Sequence, residues 1–468
     1  MASKTHKDPI VRGVGTPQRP LVKELWARDS HGQNLAMETD GSYDPDNRRV
    51  GVERYYDHNF AAMELEKVWK KQWLFAAREE DIPAVGNRVN FDVGPLSFFI
   101  IKSAENEYKA FYNACLHRGT QLCVGREQGS TIRCPYHGWQ WNIDGSLKFI
   151  PGHWDFPEIT RNNGALPEVR LAVWGGFIFI NTDDDAPPLE EVLSLMPSHL
   201  SDFEPQNRYT KARFRKVVKA NWKAVQEAFM ESYHAMTTHP EAMAFAGEGQ
   251  SQYDIWPTGA GAIGRAVTPN GIPSIYADDD ITEVDSAFGM LKAIRDWHYP
   301  DVEMPEPDNN RPGREQAADW LRRAWESTYK RSNPAPDSVF LDSCLYFLYP
   351  HFCIWLSEAT PLTYQFLPHE TDPNLSYFDV RLLVPWPAGE ERPSSALPKE
   401  IGADETVSHE APEFKMLAYI FDQDMSNLPR VQRGLRAVNP KAPYLRLGRY
   451  QESLIQHWHE LMDKHMSE

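Results

Sequence analysis

The chain has 468 residues, of which 41% are hydrophobic and 25% charged, the make-up of a globular protein with room for two domains. A formal net charge of −17 argues against a nucleic-acid partner, because phosphate contacts need a basic face. The longest apolar runs, 171–180 and 345–356, fall far short of the ~20 residues a membrane span needs, and residues 1–12 are polar, with no apolar core of a secretory signal.

Residues 1 to about 50 are polar and rich in Pro, Gly and Asp, and read as an extended arm with one short helix over 21–28. Apolar positions at helical spacing (Phe60, Met63, Val68, Trp69, Trp73) predict a helix over 58–74. From about 75 to 185, short alternating runs broken by Gly, Pro and Asn predict a small antiparallel β domain, with strands such as 88–93, 96–101 and 173–181. Helical character returns over 186–204, followed by a strand over 208–219 and a helix over 221–236. The stretch 244–338 is punctuated by Pro and Gly, with helices over 282–297 and 313–331. Strand-like runs follow at 339–358, 360–368 and 375–386, then a mobile Pro- and Glu-rich loop over 387–409 and helices over 411–434 and 447–466. The pattern is α+β: a β-rich unit near the N-terminus, then a helix–sheet domain.

Five cysteines in so long a chain do not form a disulfide framework, so a reducing cytoplasm is the expected compartment. Two of them stand in Cys115-Leu116-His117 and Cys134-Pro135-Tyr136-His137, that is Cys-x-His, 16 residues, then Cys-x-x-His. Each short loop offers one thiolate and one imidazole. A structural zinc site is the competitor, although zinc knuckles usually pair Cys with Cys and His with His. A Rieske centre needs two Cys on one iron and two His on the other, which two mixed loops supply. Gly119, Gly138 and Pro135 allow tight turns, and Tyr136 and Trp139 can wall the group from water. Cys123 reads as a small buried residue. The strings Asn-Ala-Cys-Leu-His-Arg-Gly at 113–119 and Cys-Pro-Tyr-His-Gly-Trp at 134–139 resemble the Rieske domain of aromatic-ring-hydroxylating oxygenases.

His234 and His239 are near enough, along a helix and its end before Pro240, to face one metal. Two His and one carboxylate bind Fe(II) on one face and leave the opposite positions open. A pair of His alone is more often a surface or core pair. Here Asn221-Trp222-Lys223 precedes Glu231-x-x-His234-x-x-x-x-His239, a string that resembles the catalytic motif of the same family. The resemblance implies a third ligand on a late helix. Within 421–427 we assign Asp424, with Asp422 as its competitor. Glu231, three residues before His234 on the expected helix face, resembles the family's bridging acid, usually Asp but Glu in carnitine- and betaine-type members. The implied partners are His234 of this chain and His137 of the next. Glu227 is left outside the site as a helix residue.

The resemblance implies three parts: an arm (1–55), a Rieske domain with its leading helix (56–185), and a helix-grip catalytic domain of antiparallel sheet plus helices (186–468). It implies a [2Fe–2S] cluster on Cys115, His117, Cys134 and His137, and Fe(II) on His234, His239 and Asp424. The reaction implied uses O₂ to hydroxylate or dihydroxylate a hydrophobic, aromatic or polycyclic substrate. The alternative is N- or O-demethylation of a methylammonium or methoxy compound. Electrons come from a separate NAD(P)H-dependent reductase, with or without a ferredoxin, since no strand–GxGxxG–helix unit and no second cysteine cluster is present. A homotrimer is implied, with or without a β subunit. A pure electron-transfer Rieske protein, needing only the cluster loops, is the rival from another class. Tyr253, Trp256, Phe288, Met290, Leu291 and Trp297 are expected either to line a substrate pocket or to form an ordinary packed layer.

Overall fold

The computed structural model describes residues 21–31, 35–41, 49–258, 261–278 and 280–467. The expected extended arm falls largely outside the described residues; its short helix is present at Leu21–Trp26, where the Trp26 indole donates to Asp342 at 3.0 Å.

Alternating runs and turn residues build the β unit. Seven antiparallel strands lie in the order Leu74–Arg78, Phe177–Asn181, Glu168–Trp174, Glu107–Tyr112, Leu96–Ala104, Asn87–Val93, Arg126–Gln128. A three-stranded sheet, Thr131–Arg133, Gln140–Asn142, Leu147–Phe149, packs against it. Between them a small core of Phe99, Ile101, Phe111, Ile132, Trp139 and Trp141 includes Cys115 and Cys134.

The second sheet has eight strands, ordered Gln252–Thr258, Gly261–Thr268, Ser343–Leu348, Phe352–Trp355, Leu362–Pro368, Ser376–Val384, Tyr209–Val218, Lys399–Ile401. Direct pairing puts Phe347, Cys353, Tyr364, Val380 and Phe214 on one face. Helices Trp222–Glu227 and Met416–Leu435 pack there, with Phe421 5.7 Å from Phe214 and 6.0 Å from Tyr364 between ring centres. The opposite face carries Arg265, Tyr346, Thr363 and Arg381. From it Arg381 reaches Asp81 of the β unit at 2.9 Å, both nearly fully buried.

Several expected elements are corrected. The helix over 58–74 runs as α through His58–Glu64 and then widens into a π turn, Leu65–Trp69. The helix over 186–204 is two pieces, Leu189–Leu193 and Met196–His199, separated by Ser194 at φ 49°. Residues 244–338 contain a hairpin, Gln252–Thr258 with Gly261–Thr268; Pro257 is tolerated because its strand is an edge. The run 339–358 begins inside a helix, Asp337–Leu341, whose first turn is held by Asp29 accepting from the Ser338 N–H at 3.0 Å. The loop 387–409 is tied down. Lys399–Ile401 pairs in parallel with Phe214, Arg215 and Lys216, and Val407–Glu410 is helical. Among the described residues no helix is long and apolar enough to cross a membrane.

Candidate metal centres

Two tight loops share one design at the tip of the β unit. In the first, the Cys115 carbonyl accepts from the Gly119 N–H at 2.9 Å, and in the second the Cys134 carbonyl accepts from the Gly138 N–H at 3.1 Å. Both glycines are left-handed, φ 74° and 75°, a conformation that a side chain disfavours. The loops bring the imidazoles together edge to face, at 70° between planes, with His117 Nδ1 3.2 Å from His137 Nδ1. The sulfurs lie inside, Cys115 and Cys134 being 4% and 1% exposed, while His117 is half-buried and His137 exposed. Burial pushes the Cys115 thiol up, and the N–H groups of His117 and Arg118 pull against it. At Cys134 burial also works against the thiolate, but the N–H groups of His137 and Tyr136 outweigh it and hold the thiol below its ordinary value. The Trp139 ring stacks on His117 at 5.3 Å and 4°, and Tyr136 covers His137 at 3.8 Å. A group held here has its thiolate end inside and its imidazole end at the surface, which fits a Rieske cluster with two differently ligated irons.

The second centre is carried by a broken helix, which corrects the continuous one expected over 221–236. Helix Trp222–Glu227 starts with Asn221 capping the Lys223 N–H and ends after six residues. Beyond it the Phe229 and Met230 N–H groups bond only three residues back, to Gln226 and Glu227, and the Ser232 N–H is taken by the Tyr253 hydroxyl at 2.9 Å. The Ser232 hydroxyl binds Thr268 at 2.7 Å. One turn, Ala235–Thr238, then re-forms before Pro240. Glu231 is therefore not on a shared helix face with His234. It closes the turn instead: Oε2 accepts the His234 N–H at 3.0 Å and Oε1 lies 2.6 Å from His234 Nδ1.

His234 Nε2 and His239 Nε2 lie 3.2 Å apart, and Asp424 Oδ1 is 3.5 Å from the first and 3.1 Å from the second. These three side chains place ligand atoms within 4.8 Å of one another. Burial would raise the Asp424 carboxyl, but hydrogen bonds from both histidines reverse this and hold it below its ordinary value. Burial likewise disfavours charge on His234, yet Asp424 and Glu231 outweigh it and raise His234 to about 10. The pocket thus favours positive charge, and two imidazoles with one carboxylate are a donor set for Fe(II) with open positions. Asp422, the competitor, points elsewhere: its oxygens accept from the N–H groups of Val407 and Ser408 at 2.6 and 3.0 Å.

Residues not singled out from sequence also shape the centre. Gln423 Oε1 lies 2.8 Å from His239 Nδ1. Phe229, Phe421 and Trp355 surround Tyr364 at 5.1, 6.0 and 5.8 Å. Burial pushes the Tyr364 phenol up, and the nearby Asp424 charge adds to it. For Trp355 and Tyr364 the only sequence signal was their place in the strand-like runs over 339–358 and 360–368. The aromatics expected from 244–338 lie differently. Tyr253 braces the Ser232 loop, and Met290 and Leu291 are packed in the core, as an ordinary layer would have them. Trp256 stands on the opposite sheet face, against Arg265 and His199. Glu227 is engaged in a buried network, accepting from the Tyr55 hydroxyl at 2.8 Å and lying 2.8 Å from His459 Nε2.

Residues 203–468, more than half of the chain, match the family model described as the ring hydroxylating alpha subunit (catalytic domain), and residues 72–160 match the Rieske [2Fe-2S] domain. A stretch of 191 residues is 30% identical to the glycine betaine monooxygenase oxygenase subunit of Pseudomonas aeruginosa, covering 40% of this chain and 44% of that subunit. The carnitine monooxygenase oxygenase subunit of Escherichia coli is 31% identical over 189 residues, 40% of this chain and 50% of that one. The biphenyl 2,3-dioxygenase subunit alpha of Rhodococcus jostii is 29% identical over 268 residues, 55% and 56% of the two chains. The matched stretch thus spans about half the length of these curated relatives. A solved quaternary ammonium Rieske monooxygenase shares the fold with a TM-score of 0.62 at 16% identity, covering 93% of this chain and 99% of the other. Naphthalene 1,2-dioxygenase shares it with a TM-score of 0.60 at 18% identity, covering 90% and 92%.

Proposed function

Because the chain belongs to the ring-hydroxylating alpha-subunit family, with a Rieske domain ahead of its catalytic domain, we propose that it is the oxygenase component of a multicomponent O₂-dependent oxygenase. Within it, Cys115, His117, Cys134 and His137 hold the [2Fe–2S] cluster, and His234, His239 and Asp424 hold Fe(II). The observation that carries this reading is the convergence of Asp424 on two facing imidazole nitrogens, at 3.5 and 3.1 Å, in a chain that also carries the cluster loops. A pure electron-transfer protein has no use for it. When bound, the cluster supplies electrons one at a time and the iron binds and activates O₂.

The chain's residues divide the remaining work. Glu231 holds the Nδ1 proton of His234, so that Nε2 is free to ligate. Its carboxylate also suits a second imidazole, His137 of a neighbouring copy, which is exposed at the cluster tip. That pairing supports a homotrimer in which electrons pass between chains. A separate NAD(P)H-dependent reductase feeds the cluster. The arm, Rieske and catalytic parts divide near residues 55 and 185.

For the substrate we favour a quaternary or tertiary methylammonium compound. One oxygen atom of O₂ enters an N-methyl C–H bond and the other leaves as water, with an electron pair and two protons consumed; the hydroxymethyl amine then releases formaldehyde. The relatives named for glycine betaine and carnitine support this, as does the resemblance of Glu231 to the bridging Glu of carnitine- and betaine-type members. Arene hydroxylation is the second reading, favoured by the biphenyl dioxygenase relative. Single turnovers under ¹⁸O₂ with a mixed panel decide between them. Formaldehyde from a methylammonium compound supports the first, whereas an arene product with both labelled atoms overturns it.

A further inference from the structure

His239 is held by more than the three-ligand set requires. Its Nδ1 lies 2.8 Å from Gln423 Oε1, and Gln423 Nε2 donates to the two oxygens of Glu241 at 3.1 and 3.0 Å. An amide has two unlike ends, and an ionised carboxylate can only accept. Glu241 therefore dictates how Gln423 faces: nitrogen towards Glu241, oxygen towards His239. An amide oxygen also only accepts, so the His239 proton is placed on Nδ1. The Nε2 lone pair is left directed at the space shared with His234 Nε2 and Asp424 Oδ1, 3.2 and 3.1 Å away.

We infer that Gln423, turned by Glu241, is a positioning residue that fixes His239 as an Nε2 ligand of the metal. This rests on the reading of His234, His239 and Asp424 as one iron site. The relay joins the two segments that must meet there. Gln423 directly precedes Asp424 on the late helix, and Glu241 lies two residues after His239 in the turn Pro240–Ala244. It also makes the two histidines unequal. His234 donates to an anion at 2.6 Å, which strengthens an imidazole ligand more than the neutral amide given to His239. A carboxylate at 423 would accept as well, but would face the Glu241 charge.

The test is equilibrium dialysis of cluster-loaded, anaerobic protein against radiolabelled Fe(II), with the visible spectrum of the cluster as a control for folding. Gln423→Leu keeps a helix-forming residue but removes the acceptor, and is expected to weaken iron binding about 10- to 100-fold. Gln423→Glu combined with Glu241→Gln restores an acceptor without the opposing charge and recovers most of that loss. Glu241→Lys, at an exposed position, offers a donor in place of an acceptor, turns the amide and weakens binding without touching the triad. Asp424→Ala serves as the reference for the site itself. If Asp424→Ala loses iron while Gln423→Leu binds as wild type, the positioning role is overturned. If only Glu241→Lys binds as wild type, Glu241 does not turn the amide. If Asp424→Ala also binds as wild type, the iron site is misassigned and the underlying reading falls instead.

Discussion

At the scale of single residues, the centres depend on which atom of each side chain is committed elsewhere. Glu231 spends one oxygen on the His234 backbone and the other on its ring, so Glu231→Ala removes an acceptor from both. We expect it to keep a normal cluster spectrum while turnover falls about 10- to 100-fold, measured by substrate-dependent oxidation of the reduced cluster. Equal rates in variant and wild type would exclude this role. Gly138→Ala forces a side chain into a left-handed position in a cluster loop. It should cost roughly 1–2 kcal/mol of local stability and lower cluster occupancy, read as iron and sulfide content. Cys115, His117, Cys134, His137, His234 and His239 could be proposed from sequence because a metal calls for those residue types at short spacings, whereas Asp424 and Glu231 came from the family resemblance. Gln423 was not, since nothing in a glutamine beside an aspartate says which ring it will meet. Asp424 was preferred to Asp422 by its spacing to Gln432 along the helix; their separate jobs, one on backbone N–H groups and one on histidines, exist only in three dimensions.

At the scale of elements, tertiary contacts override local pattern where the chemistry sits. The apolar spacing of 221–236 reads as one helix, yet the Tyr253 hydroxyl takes the Ser232 N–H and the Ser232 side chain is bound to Thr268. The break is what lets Glu231 turn back onto His234. Tyr253→Phe leaves the Ser232 N–H without its acceptor, at a cost of about 1–3 kcal/mol. It should weaken Fe(II) binding while leaving cluster content unchanged; unaltered iron affinity would show that the break is held by other contacts. The hairpin Gln252–Thr258 with Gly261–Thr268 was hidden for a related reason. Its Pro and Gly residues look like loop punctuation, and only its edge position and its pairing to Ser343–Leu348 make it a strand. The cluster-bearing β unit was easier to read, because its strands alternate and its turns carry glycine, although the single strand expected over 173–181 is a hairpin, Glu168–Trp174 with Phe177–Asn181, turned at the left-handed Gly175 and Gly176.

At the scale of the whole molecule, the two sheets are joined by buried charge. Asp81 meets Arg381 at 2.9 Å where both are 2% exposed, and the Arg126 side chain reaches the same carboxylate. Burial alone would raise Asp81, but Arg381, Arg213 and Arg126 hold it far below the carboxylate range. Asp81→Ala strands a buried arginine and should destabilise the protein by about 3–5 kcal/mol, seen as an earlier denaturant midpoint. Acid should unfold the chain by a second route. Burial depresses His298 and His351 to about 3 and His199 and His457 to about 4. Each is neutral when folded and takes up a proton on unfolding below about pH 6.5. Stability is therefore complete above that pH and falls steeply towards pH 4, by several protons per molecule in a pH-dependent denaturation series. A flat profile from pH 7 to pH 4 would contradict this burial. The central claim, two metal centres in one chain, is tested most directly by counting iron in anaerobically reconstituted wild type and Asp424→Ala. The account predicts about three irons per wild-type chain and about two in the variant, with an unchanged Rieske spectrum. A wild type that never exceeds two, or a variant that keeps the third, would contradict it.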